Sequence, residues 1–229
     1  MENQTGQQIP RFRAVIFDLD GVLAETETVS FQILKKYIEP YSLDWDDYEK
    51  LIGKGGKSFA AWLKTHFDFE GTVDEIQTNA NTFRVEQIEQ MDVPEMPGAA
   101  ELLESLKERH VKLAVASQSD IRWVRSVLQT SGLLEYFDSI VTSDEVDKPK
   151  PAPDIYLKAA NILETPISDC LAFEDSLIGI DSAINAGIFT IQLRQSTPPP
   201  PFAETASLVV DSFPEFMRLA KLKSSNEIC

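Results

Sequence analysis

Two pairs of acidic residues follow short apolar runs, and this pattern can build a cation site. Asp18 and Asp20 lie at the end of AVIFDLD, and Glu174 and Asp175 end CLAFED. Side chains two residues apart on a strand point to the same side, so the first two carboxylates would share one small region. Like charges beside a buried strand need a cation or a proton. Because oxygen ligands suit a hard ion, the two pairs together predict a Mg²⁺ site.

Each acidic pair also has a purely structural interpretation. Asp20-Gly21 is a common turn pair and could simply reverse the chain. Ser176, which follows the second pair, could be the N-cap of a helix. The helix cap is compatible with function. An uninterrupted apolar run leads directly into Asp18, and we therefore favour a functional role for the first pair.

Two further residues could act on an anionic substrate at the same place. Ser117 ends the apolar segment LAVAS, where its hydroxyl could donate to a phosphate or could simply be a polar residue at a strand end. Lys150 stands between prolines in DKPKPAPD, which favours a directed cation over a flexible surface lysine. A lysine among carboxylates would offset their charge and attract an anion.

The elements that must position these residues are strands and helices in alternation. We predict strands at Arg13–Leu19, Val111–Ser117, Ser139–Ser143, Cys170–Glu174, Phe189–Leu193 and Leu208–Asp211. Their apolar residues do not alternate with polar ones, which is typical of parallel strands covered on both faces. Segments of helical period separate them. The fold class predicted is therefore α/β, a doubly wound parallel sheet whose carboxyl ends form the ligand crevice.

Residues 27–95 interrupt this alternation. They contain no convincing strand and are predicted to form three or four helices, bounded by linkers near 23–28 and 93–98. We therefore expect two domains, a catalytic core of 1–26 and 96–229 and an inserted helical cap of 27–95. TPPPP at 197–201 is interpreted as a loop between strands.

The segment GKGGKS at 53–58 superficially resembles a phosphate-binding loop. The Walker pattern needs four residues between its first glycine and Gly-Lys, together with a preceding strand, and the preceding segment here is predicted to be helical. Two interpretations stay open. The segment is a turn with Ser58 as N-cap, or Lys54 or Lys57 reaches a distal group of the substrate.

Composition excludes several classes of partner. The chain has 229 residues with 37 acidic and 21 basic side chains, and its net charge of −16 would repel nucleic acid and anionic membranes. We find no apolar run of the roughly 20 residues that span a bilayer. With only Cys170 and Cys229, a disulfide framework is not expected. We expect a soluble cytoplasmic protein, monomeric or weakly homo-oligomeric.

The chain offers little for a serine hydrolase. Its two histidines are His66 and His110, and Ser117 lacks the flanking glycines of a nucleophile elbow. His110 precedes its predicted strand and should lie at the opposite edge of the sheet. Both histidines are expected to be surface or structural residues.

The ordered motifs resemble the haloacid dehalogenase superfamily over residues 12–193. They are Asp-x-Asp, Ser, Lys before Pro-Ala-Pro-Asp, and Glu-Asp, each at a predicted strand end or in a following loop. The helical insertion is similar to the small cap of the subfamily that contains the β-phosphoglucomutase-like phosphatases. Within it, LAETE and GGK look like the CbbY-like sugar-phosphate phosphatases. Glu25 departs from the aspartate that the family usually has there.

The resemblance implies a role for each motif residue. Asp18 would be the nucleophile and Asp20 the general acid and base. Asp18, the backbone carbonyl of Asp20, and Asp175 would bind Mg²⁺, while Glu174 would tune the metal or ligate it through water. Ser117 would hold phosphate oxygens, and Lys150 would neutralise charge.

The expected function is Mg²⁺-dependent hydrolysis of a small phosphorylated metabolite, a sugar phosphate above all, through an aspartyl phosphate. The first alternative is a phosphosugar mutase like β-phosphoglucomutase. Mutases of that subfamily carry a His ten residues after the second Asp, where this chain has Ser30. That difference favours water as the second phosphoryl acceptor. The other alternative is a non-catalytic module in which the acidic cluster only holds a cation.

Overall fold

The structure is a computed structural model that describes residues 8–52, 56–67 and 69–222. The strands are β1 Ala14–Phe17, β2 Lys112–Ser117, β3 Ser139–Thr142, β4 Cys170–Glu174, β5 Phe189–Leu193 and β6 Leu208–Val210. The α-helices are α1 Glu27–Tyr37, α2 Trp45–Glu49, α3 Gly56–His66, α4 Val73–Ile88, α5 Ala99–Glu108, α6 Ile121–Thr130, α7 Asp154–Ile162, α8 Leu177–Asn185 and α9 Phe213–Leu219.

The six strands form one sheet in the order β3-β2-β1-β4-β5-β6, with every neighbouring pair parallel. The α/β prediction is therefore confirmed. All four residues of β1 and all five of β4 are buried, as expected for strands covered by helices on both faces. Strand β1 is shorter than predicted, since its pairing with β4 ends at Phe17 opposite Phe173. The amide of Asp18 still donates to the carbonyl of Phe173 at 2.9 Å.

Two apolar layers cover the faces of this sheet. One layer is rich in aromatic rings, with Phe17 and Phe173 stacked at a centroid distance of 5.1 Å and Phe213 and Phe216 packed edge-on against them. The opposite layer uses small residues, including Ala114, which let α7 and α8 approach the strands closely. The central strands are thereby covered on both faces.

Helices α1 to α4 pack around an apolar cluster of their own, which includes Ile38, Leu63 and Ile76. This agrees with the prediction of three or four helices. The two connections to the sheet pair with each other, because the amide of Met96 donates to the carbonyl of Leu23 at 2.9 Å and that of Glu25 to Pro94 at 3.1 Å. Whether 27–95 acts as a separate cap domain stays a prediction.

Local predictions mostly hold. Ser176 is the N-cap of α8 and accepts from the amide of Gly179 at 3.1 Å. Residues 197–201 lie in the loop between β5 and β6. Of the two interpretations left open for residues 53–58, Ser58 as a helix N-cap is wrong, because α3 already includes Gly56 and Ser58 lies inside it. Within the described ranges, no helix combines the length and apolarity needed to cross a membrane.

Candidate active site

Three neighbouring strands deliver the predicted residues to one edge of the sheet. Asp18 follows β1, Ser117 ends β2, and Asp175 follows β4, and these strands are adjacent in the sheet. Above this edge lies a cavity of about 450 Å³, closed on its far side by the helical segment. The polar residues that line it include Asp18, Asp20, Thr26, Glu27, Ser30, Tyr48, Arg84, Ser117, Ser119, Lys150, Asp175 and Ser176.

Lys150 is the buried cation of this site. Its Nζ donates to Oδ1 of Asp18 at 2.6 Å, to Oε1 of Glu174 at 2.6 Å and to the carbonyl of Ala116 at 2.9 Å. The side chain of Lys150 is only 3% exposed. Burial opposes its charge, but the carboxylates of Asp18 and Glu174 outweigh that effect and raise the pKa of Lys150. The fold therefore places an ammonium group beside Asp18, and the two neighbouring carboxylates stabilise its charged form.

Glu174 is fully buried and surrounded by donors. In addition to Lys150, the hydroxyl of Tyr156 donates to Oε1 at 2.8 Å. Both the amide of Ser176, at 3.4 Å, and its hydroxyl, at 3.1 Å, donate to Oε2. The carboxylate packs so closely on α8 that a Cβ at Gly179 would collide with it. Because both oxygens already have donors, this arrangement favours Glu174 as a partner of Lys150 over Glu174 as a metal ligand.

The acidic cluster suits a divalent cation. Carboxylate oxygens of Asp18, Glu174 and Asp175 lie within 4.8 Å of one another. No hydrogen bond from the described residues reaches Oδ2 of Asp18 or the carboxylate of Asp175, so these oxygens are available as hard ligands. Gly21 has φ +79°, and a Cβ there would collide with Oδ2 of Asp175. The residues present therefore fit Mg²⁺.

Like charges in this confined space disturb the ionisation of the carboxyl groups. Burial, followed by the charges of Glu174 and Asp20, raises the pKa of Asp18 despite the opposing effect of Lys150. Burial and the charges of Glu174 and Asp18 likewise raise the pKa of Asp175 well above its ordinary value. A bound cation would reverse both effects, because it stabilises the ionised carboxylates.

Asp20 lies outside the metal cluster and is held by neutral donors. Thr26 donates to its Oδ1 at 2.7 Å, and Ser119 to its Oδ2 at 2.9 Å. The indole of Trp123 also donates to Oδ1, at 3.3 Å. This network holds the carboxyl group in one orientation. None of the three donors was expected from the sequence, although Thr26 lies in the LAETE segment and Ser119 two residues after Ser117.

The predicted phosphate-binding residues differ in their placement. Ser117 is buried, lines the cavity, and accepts from the amide of Ser119 at 3.1 Å. Lys57 is exposed and pairs with Asp74 at 3.0 Å, and it is not among the described residues that line the cavity. This geometry does not favour the expected contact of Lys57 with substrate. Lys54 lies outside the described residues.

Glu27, Tyr48 and Arg84 were missed by the sequence analysis and extend the site into the helical segment. The hydroxyl of Tyr48 donates to Oε2 of Glu27 at 2.9 Å. Burial and the charge of Asp20 raise the pKa of Glu27 to about 7, although Tyr48 and Arg84 oppose the shift. These three polar residues thus line the part of the cavity that the helical segment contributes.

The raised pKa of Glu27 predicts a stability effect that depends on pH. The folded state binds this proton more tightly than the unfolded chain, whose ordinary value is 4.5. Stability from this group is therefore lost as pH rises from 4.5 towards about 7, and the loss is complete above that range. Glu27→Gln cannot ionise and keeps an oxygen that accepts from Tyr48. We expect the melting temperature of Glu27→Gln to lie several degrees above that of wild type near pH 8 and to equal it near pH 4. The corresponding difference in the free energy of unfolding is at most about 3 kcal/mol.

Melting curves of both proteins across this pH range measure the effect. Glu86→Gln, on the exposed side of α4, is the matched control and should follow the wild-type curve. A constant offset between Glu27→Gln and wild type at every pH would contradict the assignment.

A family model provides the first comparison with known proteins. The model described as haloacid dehalogenase-like hydrolase matches residues 15–193. Among curated proteins, the chain is 36% identical over 176 residues to the bifunctional riboflavin kinase/FMN phosphatase of Arabidopsis thaliana, covering 76% of this chain and 46% of that protein. The chain thus spans less than half the length of this relative.

Two proteins of a length similar to that of this chain also match it. Protein CbbY of Rhodobacter capsulatus is 34% identical over 187 residues, covering 77% of this chain and 82% of that protein. The solved structure of CbbY from Rhodobacter sphaeroides in complex with phosphate has a TM-score of 0.77 and 29% identity, covering 90% of this chain and 96% of the other. The family match confirms the predicted family. The name FMN phosphatase of the Arabidopsis relative agrees with the predicted class of phosphoric monoester hydrolase. The chain belongs to the haloacid dehalogenase-like hydrolases.

Proposed function

We propose that this protein is a Mg²⁺-dependent phosphatase of a small phosphorylated metabolite and acts through an aspartyl phosphate. The observation that carries the proposal is the position of Asp18. It lies at the end of a central strand, on the wall of the cavity, with one oxygen 2.6 Å from a buried ammonium group. A carboxylate is a weak nucleophile, so positioning and charge neutralisation must supply most of the catalysis.

In the first step, an oxygen of Asp18 attacks phosphorus. A bond forms between this oxygen and phosphorus while the bond from phosphorus to the leaving oxygen breaks. Lys150 keeps the Asp18 carboxylate oriented by donating to its Oδ1 at 2.6 Å. Ser117, on the wall of the same cavity, is placed to donate its hydroxyl to a phosphoryl oxygen.

Asp20 serves the proton transfers of both steps. It gives a proton to the leaving oxygen as the aspartyl phosphate forms. It then takes a proton from the water that attacks phosphorus, which releases inorganic phosphate and restores the carboxylate of Asp18. The donors Thr26 and Ser119 hold Asp20 in place for this work.

The carboxylates of Asp18 and Asp175 would hold Mg²⁺, together with the backbone carbonyl of Asp20 that the family resemblance implies. The ion would neutralise negative charge on the transferring phosphoryl group. Glu174 supports this cluster indirectly, because its Oε1 accepts from Nζ of Lys150 at 2.6 Å and so helps to hold that lysine beside Asp18.

The cavity favours a polar leaving group of modest size. Its volume of about 450 Å³ accommodates a sugar phosphate. Glu27, Tyr48 and Arg84 offer hydrogen-bonding groups on the wall away from the sheet. A mutant of CbbY from Rhodobacter sphaeroides, 28% identical to this chain, was solved in complex with xylulose 1,5-bisphosphate, which supports this choice. We therefore infer that a sugar phosphate is the natural class of substrate.

The test is release of inorganic phosphate from 4-nitrophenyl phosphate and from a panel of sugar mono- and bisphosphates. We expect turnover with Mg²⁺ and none with EDTA. Asp175→Asn should raise the Mg²⁺ concentration needed for half-maximal activity by about tenfold or more. Asp181→Asn, an exposed aspartate on α8, is the matched control. Turnover that ignores both EDTA and Asp175→Asn would refute the metal assignment.

The same assay separates a phosphatase from a mutase. Ser30 is buried on the cavity wall at the position where the mutases carry histidine, and a hydroxyl does not take up a proton near neutral pH as imidazole does. We therefore expect one phosphate released per sugar consumed. Conversion of β-glucose 1-phosphate to glucose 6-phosphate without phosphate release would favour the mutase.

A further inference from the structure

The indole of Trp123 lies between Asp20 and the side chain of Arg84. Its Nε1 donates to Oδ1 of Asp20 at 3.3 Å, and the guanidinium carbon of Arg84 lies 4.0 Å from the centre of the ring. Trp123 is 2% exposed. Because Arg84 belongs to α4 and Trp123 to α6, this stack joins the inserted helices to the sheet domain.

The two oxygens of Asp20 have different surroundings. Oδ1 accepts from both Thr26 and Trp123, and an indole N–H can only donate. Among the described residues, Oδ2 accepts from the hydroxyl of Ser119 alone. Oδ2 is therefore the less crowded oxygen and the one with room to contact the leaving oxygen of a substrate.

Arg84 holds the indole from the other side. A guanidinium over an indole face is attracted by the electron density of the ring. The Nε of Arg84 is buried and has no hydrogen-bond partner in the described part of the chain, and the guanidinium lies over the indole of Trp123. A second contact joins the same two elements, since Ser126 on α6 donates to Glu89 at the end of α4 at 3.3 Å. The stack therefore exists only while α4 lies against α6.

We propose that Trp123 is a positioning residue that aims Oδ2 of Asp20 at the leaving oxygen, and that Arg84 holds Trp123 in place when the inserted helices are seated on the core. The proposal rests on the phosphatase function proposed above. It ties protonation of the leaving group to the closed arrangement of the cavity. An open arrangement would lose the stack, and with it the constraint on Asp20.

The test uses two phosphate esters of similar size. Benzyl phosphate has an alkoxide leaving group that needs a proton, whereas 4-nitrophenyl phosphate releases a stable phenolate without one. We expect Trp123→Phe, which keeps the ring and removes the N–H, to lower kcat/KM for benzyl phosphate by about tenfold and for 4-nitrophenyl phosphate by less than about threefold. The ratio of these losses reports on acid catalysis and not on general damage to the fold.

Arg84 is tested through a double-mutant cycle. Arg84→Gln should lower kcat/KM for benzyl phosphate more than for 4-nitrophenyl phosphate, and Arg84→Lys should restore part of the loss. In the Trp123→Phe background, Arg84→Gln should add little, because the N–H that Arg84 holds in place is already gone. Lys35→Gln, an exposed lysine on α1 outside the cavity, is the charge-matched control.

Each outcome decides the proposal. Equal losses for both esters, or no loss for either in an active enzyme, would overturn the positioning role and leave the phosphatase intact. Additive effects of the two substitutions would overturn the coupling through the indole. Wild-type protein that hydrolyses neither ester would overturn the phosphatase and this proposal together. If Trp123→Phe does not fold, the Arg84→Gln and Arg84→Lys pair carries the test, since Arg84 is partly exposed.

Discussion

Asp18→Asn is expected to lower kcat by at least about 10⁴-fold while the protein keeps its fold. An amide cannot attack phosphorus effectively and carries no charge to hold Mg²⁺. The fold should survive, because the amide oxygen can still accept from Lys150 and Glu174 still neutralises that lysine at 2.6 Å. Steady-state phosphate release and thermal melting measure the two halves of this prediction.

A chemical test of the intermediate accompanies the rate measurement. Wild-type protein quenched during turnover of a radiolabelled substrate should carry a label that hydroxylamine removes, as expected of an acyl phosphate, and Asp18→Asn should carry none. Asp211→Asn is the matched control, since Asp211 also follows a strand directly but lies outside the cavity. Label on Asp18→Asn, or turnover near the wild-type rate, would eliminate Asp18 as the nucleophile.

Lys150→Met is expected to destabilise the protein and to impair turnover. Removing the ammonium group leaves Asp18 and Glu174 close together with no compensating charge, and Glu174 is fully buried. Breaking a buried ion pair on one side costs about 3–5 kcal/mol. We also expect kcat/KM to fall by about a hundredfold or more, because a group that stabilises charge in the transition state is lost. Urea unfolding and phosphate release measure the two effects.

The loss of stability and the loss of activity caused by Lys150→Met can be separated. Lys150→Met combined with Glu174→Gln removes one of the uncompensated charges, so it should recover part of the stability without recovering the activity. Lys158→Met breaks an exposed pair with Glu145 at 3.2 Å, for which at most about 1 kcal/mol is expected. A Lys150→Met protein as stable as Lys158→Met would show that the buried ion triad does not stabilise the fold.

Stability predictions for the acidic cluster depend on the metal. Without a cation, Asp18 and Asp175 both have raised pKa values because burial and neighbouring carboxylates penalise their ionised forms. Mg²⁺ should therefore stabilise the folded protein, and this stabilisation should grow as pH rises and the carboxylates ionise. Metal binding and folding are thus linked through the same two residues that the mechanism uses.

The order of the strands along the chain and the acids that follow them could be predicted from the amino-acid sequence. The strand Cys170–Glu174 was predicted with the bounds that the structure has, and Asp18 and Asp175 follow their strands as expected. These features are local, because an unbroken apolar run of strand length and the residue that ends it can be recognised without any distant contact. Parallel pairing then brings the carboxyl ends together at one edge.

The hydrogen-bond partners of those acids, by contrast, depend on the packing of distant parts of the chain. Asp20 accepts from Ser119 and Trp123, which lie 99 and 103 residues further along the chain, and Glu174 is enclosed by Lys150 and Tyr156. Trp123 lies in α6, one of the segments of helical period between the strands, and such a period does not show that its indole reaches Asp20 or that Arg84 stacks on it. Hydrogen-bond partners depend on how separate elements pack, and apolar periodicity carries no information about which polar groups that packing brings together.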